Sequence, residues 1–237
     1  MFFIKSKNVT VVWNQKLTTN MNRITFGGKD LKGVSANDEG AYIKLFFEQT
    51  GDNKPIKRSY TVRRAYPERC EIDVDFVCHG DEGPASKWAL SANIGDQLKI
   101  KGPATRKMVN PIADWYFLVG DMTSLPALSV NLENMKDTAR GYAIVEIKNE
   151  NDKQRIDKPK GVELHWIINS DHHKSANLAL DAVKKCPWLP GNLNVWVAAE
   201  FETTRTLKDY FKNEKNVLKR DIYASSYWKY KENTVAV

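Results

Sequence analysis

Short runs of Val, Ile, Phe and Tyr, broken by Gly, Asp and Asn, set the rhythm of the first half of the chain. Runs at 9–13, 23–26, 41–49, 57–64, 70–79 and 97–100 predict six β-strands. Gly27-Gly28-Lys29-Asp30 and Thr50-Gly51-Asp52-Asn53 are the clearest breaks between them. Six short strands at this spacing predict a small antiparallel barrel. One helix is expected inside it, starting near Pro84, where a missing N–H costs a first turn nothing, and ending before Gly95-Asp96.

The pattern changes after Gly102-Pro103. The continuous apolar run 115–119 predicts a strand buried on both faces. After it come a helix over 123–135, strands over 141–147 and 162–168, a helix over 176–186, a strand over 193–199 and a helix over 203–213. Strands alternating with helices predict a parallel sheet with crossovers. The polar stretch 148–160 reads as a solvated loop. A barrel domain over 1–108 followed by an α/β domain over 109–237 is the expected organisation, with the boundary between Ala104 and Asp114.

Composition narrows this only a little. With 42% hydrophobic and 27% charged residues in 237, the chain has an ordinary globular balance. A net charge of +7 favours an anionic partner, but the basic residues are dispersed and form no polybasic tail. Cys70, Cys78 and Cys186 are odd in number and lack a C-x-x-C pair, which argues against a disulfide framework, a zinc ribbon and an iron–sulfur site. Met1-Phe2-Phe3-Ile4-Lys5 has no adequate apolar core for a signal peptide, and no stretch approaches a membrane span, so a cytoplasmic protein is expected. Asp171-His172-His173 lacks a third ligand at metal spacing, so no metal site is expected.

Candidate chemistry concentrates between Arg58 and Ala89. Arg58-Ser59-Tyr60-Thr61-Val62-Arg63 is a strand carrying two arginines and an aromatic ring; Asp73-Val74-Asp75-Phe76-Val77-Cys78-His79 is a second strand. Gly80-Asp81-Glu82-Gly83-Pro84-Ala85-Ser86-Lys87-Trp88-Ala89 then turns into a helix. An arginine and the exposed N–H groups of a helix start suit a diphosphate, and Tyr60 offers a flat face to a planar ring. This set suits a flavin dinucleotide, although a solvated strand arginine and an ordinary barrel turn fit the same residues. In the second half, Gly120-Asp121-Met122-Thr123-Ser124-Leu125-Pro126 follows a strand and precedes a helix, where an open α/β sheet places a ligand. It lacks G-x-G-x-x-G, and a tight turn with Thr123 as helix N-cap fits it equally.

R-S-Y-T-V-R followed by D-F-V-C-H-G-D-E-G-P-A-S-K-W-A closely resembles the flavin-binding signature of the siderophore-interacting proteins, FAD-dependent ferric-siderophore reductases with a ferredoxin-reductase-like fold. The resemblance continues through Gly95–Pro103, Trp115–Ala127 and Tyr227–Lys229, nearly the whole chain. It implies FAD contacts from Arg58, Tyr60, Thr61, Val62, Arg63, Asp75, Phe76, Val77, His79, Gly83, Pro84, Ala85, Ser86 and Trp88. It places Asp121, Thr123 and Glu200 where reduced nicotinamide dinucleotide approaches, and Trp228 close to the flavin, on a C-terminal segment returning to that pocket. Ala199 stands where the family more usually has glycine, and Met122 where an acidic residue is common. For the substrate it implies basic residues at Lys44, within K-L-F-F, at Arg106, and at Lys229, with Arg220 and Tyr223 as other C-terminal candidates.

The expected activity is electron transfer from NADH or NADPH through FAD to the Fe(III) of an anionic catecholate or hydroxamate siderophore, with a ferredoxin as another conceivable donor. The iron stays in its chelator, so no protein ligand to it is needed, and reduction to Fe(II) weakens its hold on hard oxygen ligands. Two other activities compete: a flavin reductase with another small-molecule or protein acceptor, and a basic barrel that binds nucleic acid. The second lacks the aromatic-plus-basic strand of RNA-binding sheets, so no nucleic-acid partner is expected.

Overall fold

The computed structural model describes residues 6–48, 54–78 and 83–230. The chain divides into two compact units, Met1–Met108 and Val109–Val237.

The first unit is a closed six-stranded antiparallel barrel, as its alternating pattern predicts. Its strands are β1 (Lys7–Thr18), β2 (Met21–Gly27), β3 (Tyr42–Phe47), β4 (Ile56–Tyr66), β5 (Glu71–Val77) and β6 (Gln97–Lys101), in the order β1-β2-β5-β4-β3-β6. β1 is much longer than the expected 9–13, because irregularities in its pairing with β2 let polar residues such as Asn14, Gln15 and Lys16 continue the ladder. Alternate residues point inward: Ile43 and Leu45, Val62, Ile72 and Val74, Leu98 and Ile100 fill the barrel. Helix α1 (Pro84–Ser91) contributes Ala85, Ala89 and Trp88 to the same core. At Gly102 the chain lies so close to β3 that an added Cβ would meet Ile43 Cγ2 and Tyr42 O at 3.1 Å, and its φ of +122° also favours glycine.

The second unit is a five-stranded parallel sheet with helices packed on it, again as the alternation predicts. Strands β7 (Trp115–Asp121), β8 (Arg140–Ile147), β9 (Gly161–Ile168), β10 (Leu193–Glu200) and β11 (Ile222–Trp228) lie in the order β11-β10-β7-β8-β9. Helices α2 (Leu125–Glu133), α3 (Ser175–Lys185) and α4 (Phe201–Asp209) connect them. The central strands β7 and β10 are buried along their whole length. Trp115, Phe117, Val119, Tyr142, Ile144, Val195 and Val197 pack with Ala179 and Val183 of α3 and Leu207 of α4.

Several boundaries differ from expectation. α2 starts at Leu125 rather than 123, and α4 starts at Phe201 rather than 203, because Glu200 caps it by accepting from the Glu202 and Thr203 N–H groups. α4 then widens into a π-helical turn over Tyr210–Glu214. β11 was not expected as a strand. It is an edge strand whose Ser225, Ser226 and Tyr227 break any apolar run, and pairing with β10 sets its conformation. Cys70, Cys78 and Cys186 are free thiols. Among the described residues no helix is long and apolar enough to cross a membrane.

Candidate functional site

In the first unit the site is a seam. β4 and β5 pair from Tyr66/Glu71 to Val62/Val74, with a register shift that leaves Arg63 as the extra residue. Beyond Val62/Val74 that ladder stops: the rest of β4 pairs with β3, and 75–77 of β5 pair with β2. Two strand edges therefore face each other without exchanging main-chain hydrogen bonds. The rings of Tyr60 and Phe76 meet there, centroids 4.4 Å apart at 35°. Burial pushes the Tyr60 phenol well above its usual range, so it stays neutral.

Three groups of this unit suit an anion. Arg58, toward the open end of β4, is exposed, and its guanidinium donates to the carbonyl of Lys57 at 3.0 Å. The start of α1 follows Gly83 in extended conformation (φ −101°, ψ 136°), with no side-chain cap and no acidic residue in its first turn. First-turn N–H groups have no carbonyl four residues back, and the first turn itself carries no carboxylate. A Cβ added at Gly83 would meet only Ser86 Cβ, at an ordinary 3.9 Å, so the approach is open on that side. The third group is exposed Lys44 on β3, directly opposite Ser59 on one side and Lys101 on the other. Half-buried Arg106 lies just past Ala104, whose N–H donates to Tyr42 O at 3.0 Å.

In the second unit the expected residues converge at the carboxyl end of the sheet. Asp121 ends β7. Its Oδ1 accepts from the Thr123 N–H (2.8 Å) and hydroxyl (2.5 Å); its Oδ2 accepts from the Glu200 N–H (3.0 Å) and the Trp228 indole N–H (2.8 Å). Burial raises the Asp121 carboxyl above the usual carboxylate range, and its donors oppose that shift without cancelling it. Glu200 ends β10; besides capping α4, it accepts from the Tyr230 N–H at 3.1 Å. Gly120 permits the tight turn into α2, since a Cβ there would sit 2.3 Å from Ser124 Oγ.

Two family models match this chain. The siderophore-interacting FAD-binding domain matches residues 10–55 and 47–107, and the siderophore-interacting protein model matches 113–231. The chain belongs to the siderophore-interacting protein family. Ferric vibriobactin reductase ViuB of Vibrio cholerae is 33% identical over 93% of this chain and 88% of its own length. The NADPH-dependent ferric-chelate reductase of Escherichia coli is 25% identical over 95% of this chain and 93% of its own. The crystal structure of the siderophore-interacting protein SipS from Aeromonas hydrophila superposes with a TM-score of 0.87 at 30% identity, covering 96% of this chain and 93% of that one.

In this siderophore-interacting protein, the residues expected at the flavin divide by burial. Arg58 is exposed; Tyr60, Val77, Gly83 and Pro84 are half-buried at the seam and helix start. Val62 and Phe76 have no exposed surface, and Trp88 stacks on Phe26 with ring centroids 6.0 Å apart. The Val62 N–H already donates to Ala41 O at 2.8 Å. The Val62 and Phe76 side chains occupy inward positions of the barrel, and half-buried Trp88 of α1 packs against that core. The Asp75 carboxylate accepts from Arg23 Nε at 2.6 Å and Nη2 at 2.8 Å, a paired side chain of β2 that the sequence did not single out. Thr61, Arg63, Ala85 and Ser86 are buried as well. His79 and residues 80–82 of the turn lie outside the described residues.

In the second unit the correction is chemical. Asp121, Thr123, Glu200 and Trp228 do come together, but their polar atoms bind one another. Thr123 is no N-cap, because its hydroxyl donates to Asp121 and the N-cap position belongs to Ser124. Lys229 is exposed with its ammonium 4.8 Å from the Phe201 ring centroid, and Arg220 lies 3.7 Å from Asp221. Tyr223 packs against Trp196, ring centroids 5.6 Å apart. Sequence reading missed Glu146, Ser175 and Thr203 on the same edge. The available signal was parity: Glu146 continues the inward row Tyr142, Ile144 of an otherwise apolar strand.

Proposed function

We propose that this protein is an FAD-dependent reductase that takes electrons from NADPH or NADH and delivers them to the iron(III) of an anionic ferric siderophore. The observation that carries this reading is the open β4–β5 seam in a barrel that also presents an uncapped helix start. The unpaired strand edges at 58–61 and 75–77 suit the polar rim of a flavin, and the half-buried Tyr60 suits its ring. Arg58 and the first turn of α1 suit the diphosphate, through charge and N–H groups aimed outward. FAD, when bound, accepts a hydride and releases electrons singly.

The chain's own residues supply binding and orientation. Tyr60 and Phe76 keep water out of the seam floor, and the Arg23–Asp75 pair holds β2 and β5 together beneath it. In the second unit, the Asp121 cluster fixes the loop of Gly120–Thr123 at the carboxyl end of the sheet, where parallel sheets take nucleotides. Relatives agree with this donor and acceptor: one is a ferric vibriobactin reductase, another an NADPH-dependent ferric-chelate reductase. For the substrate, Lys44 and Arg106 of the first unit supply positive charge to a chelate anion.

The test uses the purified protein reconstituted with FAD. Visible flavin bands are expected to survive gel filtration, to bleach anaerobically with NADPH or NADH, and to return on adding a ferric catecholate, with Fe(II) captured by a ferrous-specific chelator. Failure to retain FAD would overturn the cofactor assignment. Bleaching by a reduced ferredoxin and by neither nucleotide would replace the donor. Reoxidation by quinones or dyes but by no ferric chelate would replace the acceptor.

A further inference from the structure

Two buried side-chain atoms of the described residues have no hydrogen-bond partner, Glu146 Oε2 and Thr203 Oγ1. Both residues line one small cavity at the carboxyl edge of the parallel sheet, walled also by Asp121 and Ser175 and by the apolar side chains of Val119 and Ile144. Glu146 projects from β8, and Thr203 from the first turn of α4, with only 4% of its surface exposed. The other carboxylate oxygen, Glu146 Oε1, accepts from Ser175 Oγ at 2.7 Å. An unpaired polar atom in such a place is destabilising, and here two such atoms fall in one cavity.

The chemistry of the walls selects the occupant. Glu146 Oε2 accepts, and the Thr203 hydroxyl both donates and accepts. They make no hydrogen bond to each other, and although Asn169 also favours the Glu146 carboxylate, a third group that donates to one and engages the other would satisfy both. No set of three His, Cys, Asp or Glu side chains able to hold a metal exists among the described residues. The cavity volume, about 10 Å³, is that of a single water molecule.

We propose that Glu146 and Thr203 hold a single buried water between β8 and the first turn of α4, and that this water positions the Asp121–Glu200 cluster. The link to the cluster is short. The Thr203 N–H donates to Glu200 Oε2, the Glu200 N–H donates to Asp121 Oδ2, and Asp121 Oδ2 also accepts the Trp228 indole N–H. Glu146 and Thr203 are thus positioning residues, and the Trp228 indole is a built-in reporter of what they position.

The experiment has three readouts on the full chain. A crystal structure at a resolution that shows single waters should place one within hydrogen-bond distance of both atoms. Thr203→Val, nearly the same shape, should lower the folded-to-unfolded ratio roughly three- to tenfold, whereas an unbridged hydroxyl would make the same change stabilising. The ¹⁵N-indole resonance of Trp228, assigned through Trp228→Phe, should shift in Thr203→Val and return in Thr203→Ser. A dry cavity, a stabilised Thr203→Val, or an unmoved Trp228 resonance would each overturn the proposal. None of these readouts needs flavin or donor, so they stand apart from the proposed activity.

Discussion

Asp121→Asn is the most informative single change. The carboxylate accepts four hydrogen bonds, two on each oxygen, from Thr123, Glu200 and Trp228. The amide keeps one acceptor oxygen and must turn its NH₂ toward one of the two donor pairs. Facing Glu200 N–H and the indole, the NH₂ would orphan two donors that cannot reverse, at about 2–6 kcal/mol. Facing Thr123 it orphans only the backbone N–H, because the hydroxyl can rotate to accept. The variant should take the second orientation and lose about 1–3 kcal/mol. Asp121→Ala, which orphans all four donors, should lose more. Urea unfolding at pH 8, where the carboxylate is more completely ionised, followed by tryptophan fluorescence, is the assay. Five of the seven tryptophans lie in the second unit, so the signal follows the unit carrying the change. In an Asp121→Ala, Trp228→Phe double variant, where the first change already strands the indole, the two effects should fall short of additivity. A stability loss under about 0.5 kcal/mol with full additivity would refute the four-donor account.

Other consequences are direct. Arg58→Ala should weaken FAD binding roughly 10- to 150-fold, the worth of a charge-assisted bond, read by flavin fluorescence titration; unchanged affinity removes Arg58 from the site. Burial, and then Asp121, raise the Glu146 carboxyl above its ordinary 4.5. Its ionisation therefore takes stability from the folded state as pH rises from 4.5 through the folded value, so Glu146→Gln should gain on the parent across that window in thermal melts. A difference independent of pH would contradict this. Lys44→Ala should weaken binding of a ferric tris-catecholate and flatten its salt dependence while sparing a neutral ferric hydroxamate; equal effects on both chelates would count against a basic pocket there.

Most of the fold was legible because its elements are set by local pattern. Alternation at Tyr42-Ile43-Lys44-Leu45 can only be a strand with one wet face, and Trp115–Asp121 is too apolar for an edge. What stayed hidden depends on partners far along the chain. β11 carries two adjacent serines and an inward row of only Ile222 and Ala224, and becomes a strand because β10 offers it an open edge. The extended β1 is polar through Asn14, Gln15 and Lys16 for the same reason: β2 supplies the hydrogen bonds that its side chains do not advertise.

The sites show a different limit, since a motif gathers residues that touch a ligand with residues that hold those in place. R-S-Y-T-V-R is one string in the sequence, yet Arg58 is exposed, Tyr60 lies at the seam and Val62 is sealed in the core. Asp75 has the charge to repel a diphosphate, and its pairing with Arg23 across two strands neutralises it. In the second unit, Asp121 and Trp228 are 107 residues apart, so no local spacing reveals that one satisfies the other. Once they do, the donors of the Thr123 hydroxyl and the indole are committed to the Asp121 carboxylate. What that edge presents instead is a fixed backbone turn after Gly120, and its fixity depends on each polar group around it being matched. This makes the pair of unmatched atoms, Glu146 Oε2 and Thr203 Oγ1, informative: in a cluster otherwise so completely bonded, two orphans on one water-sized cavity mark a missing member of the network.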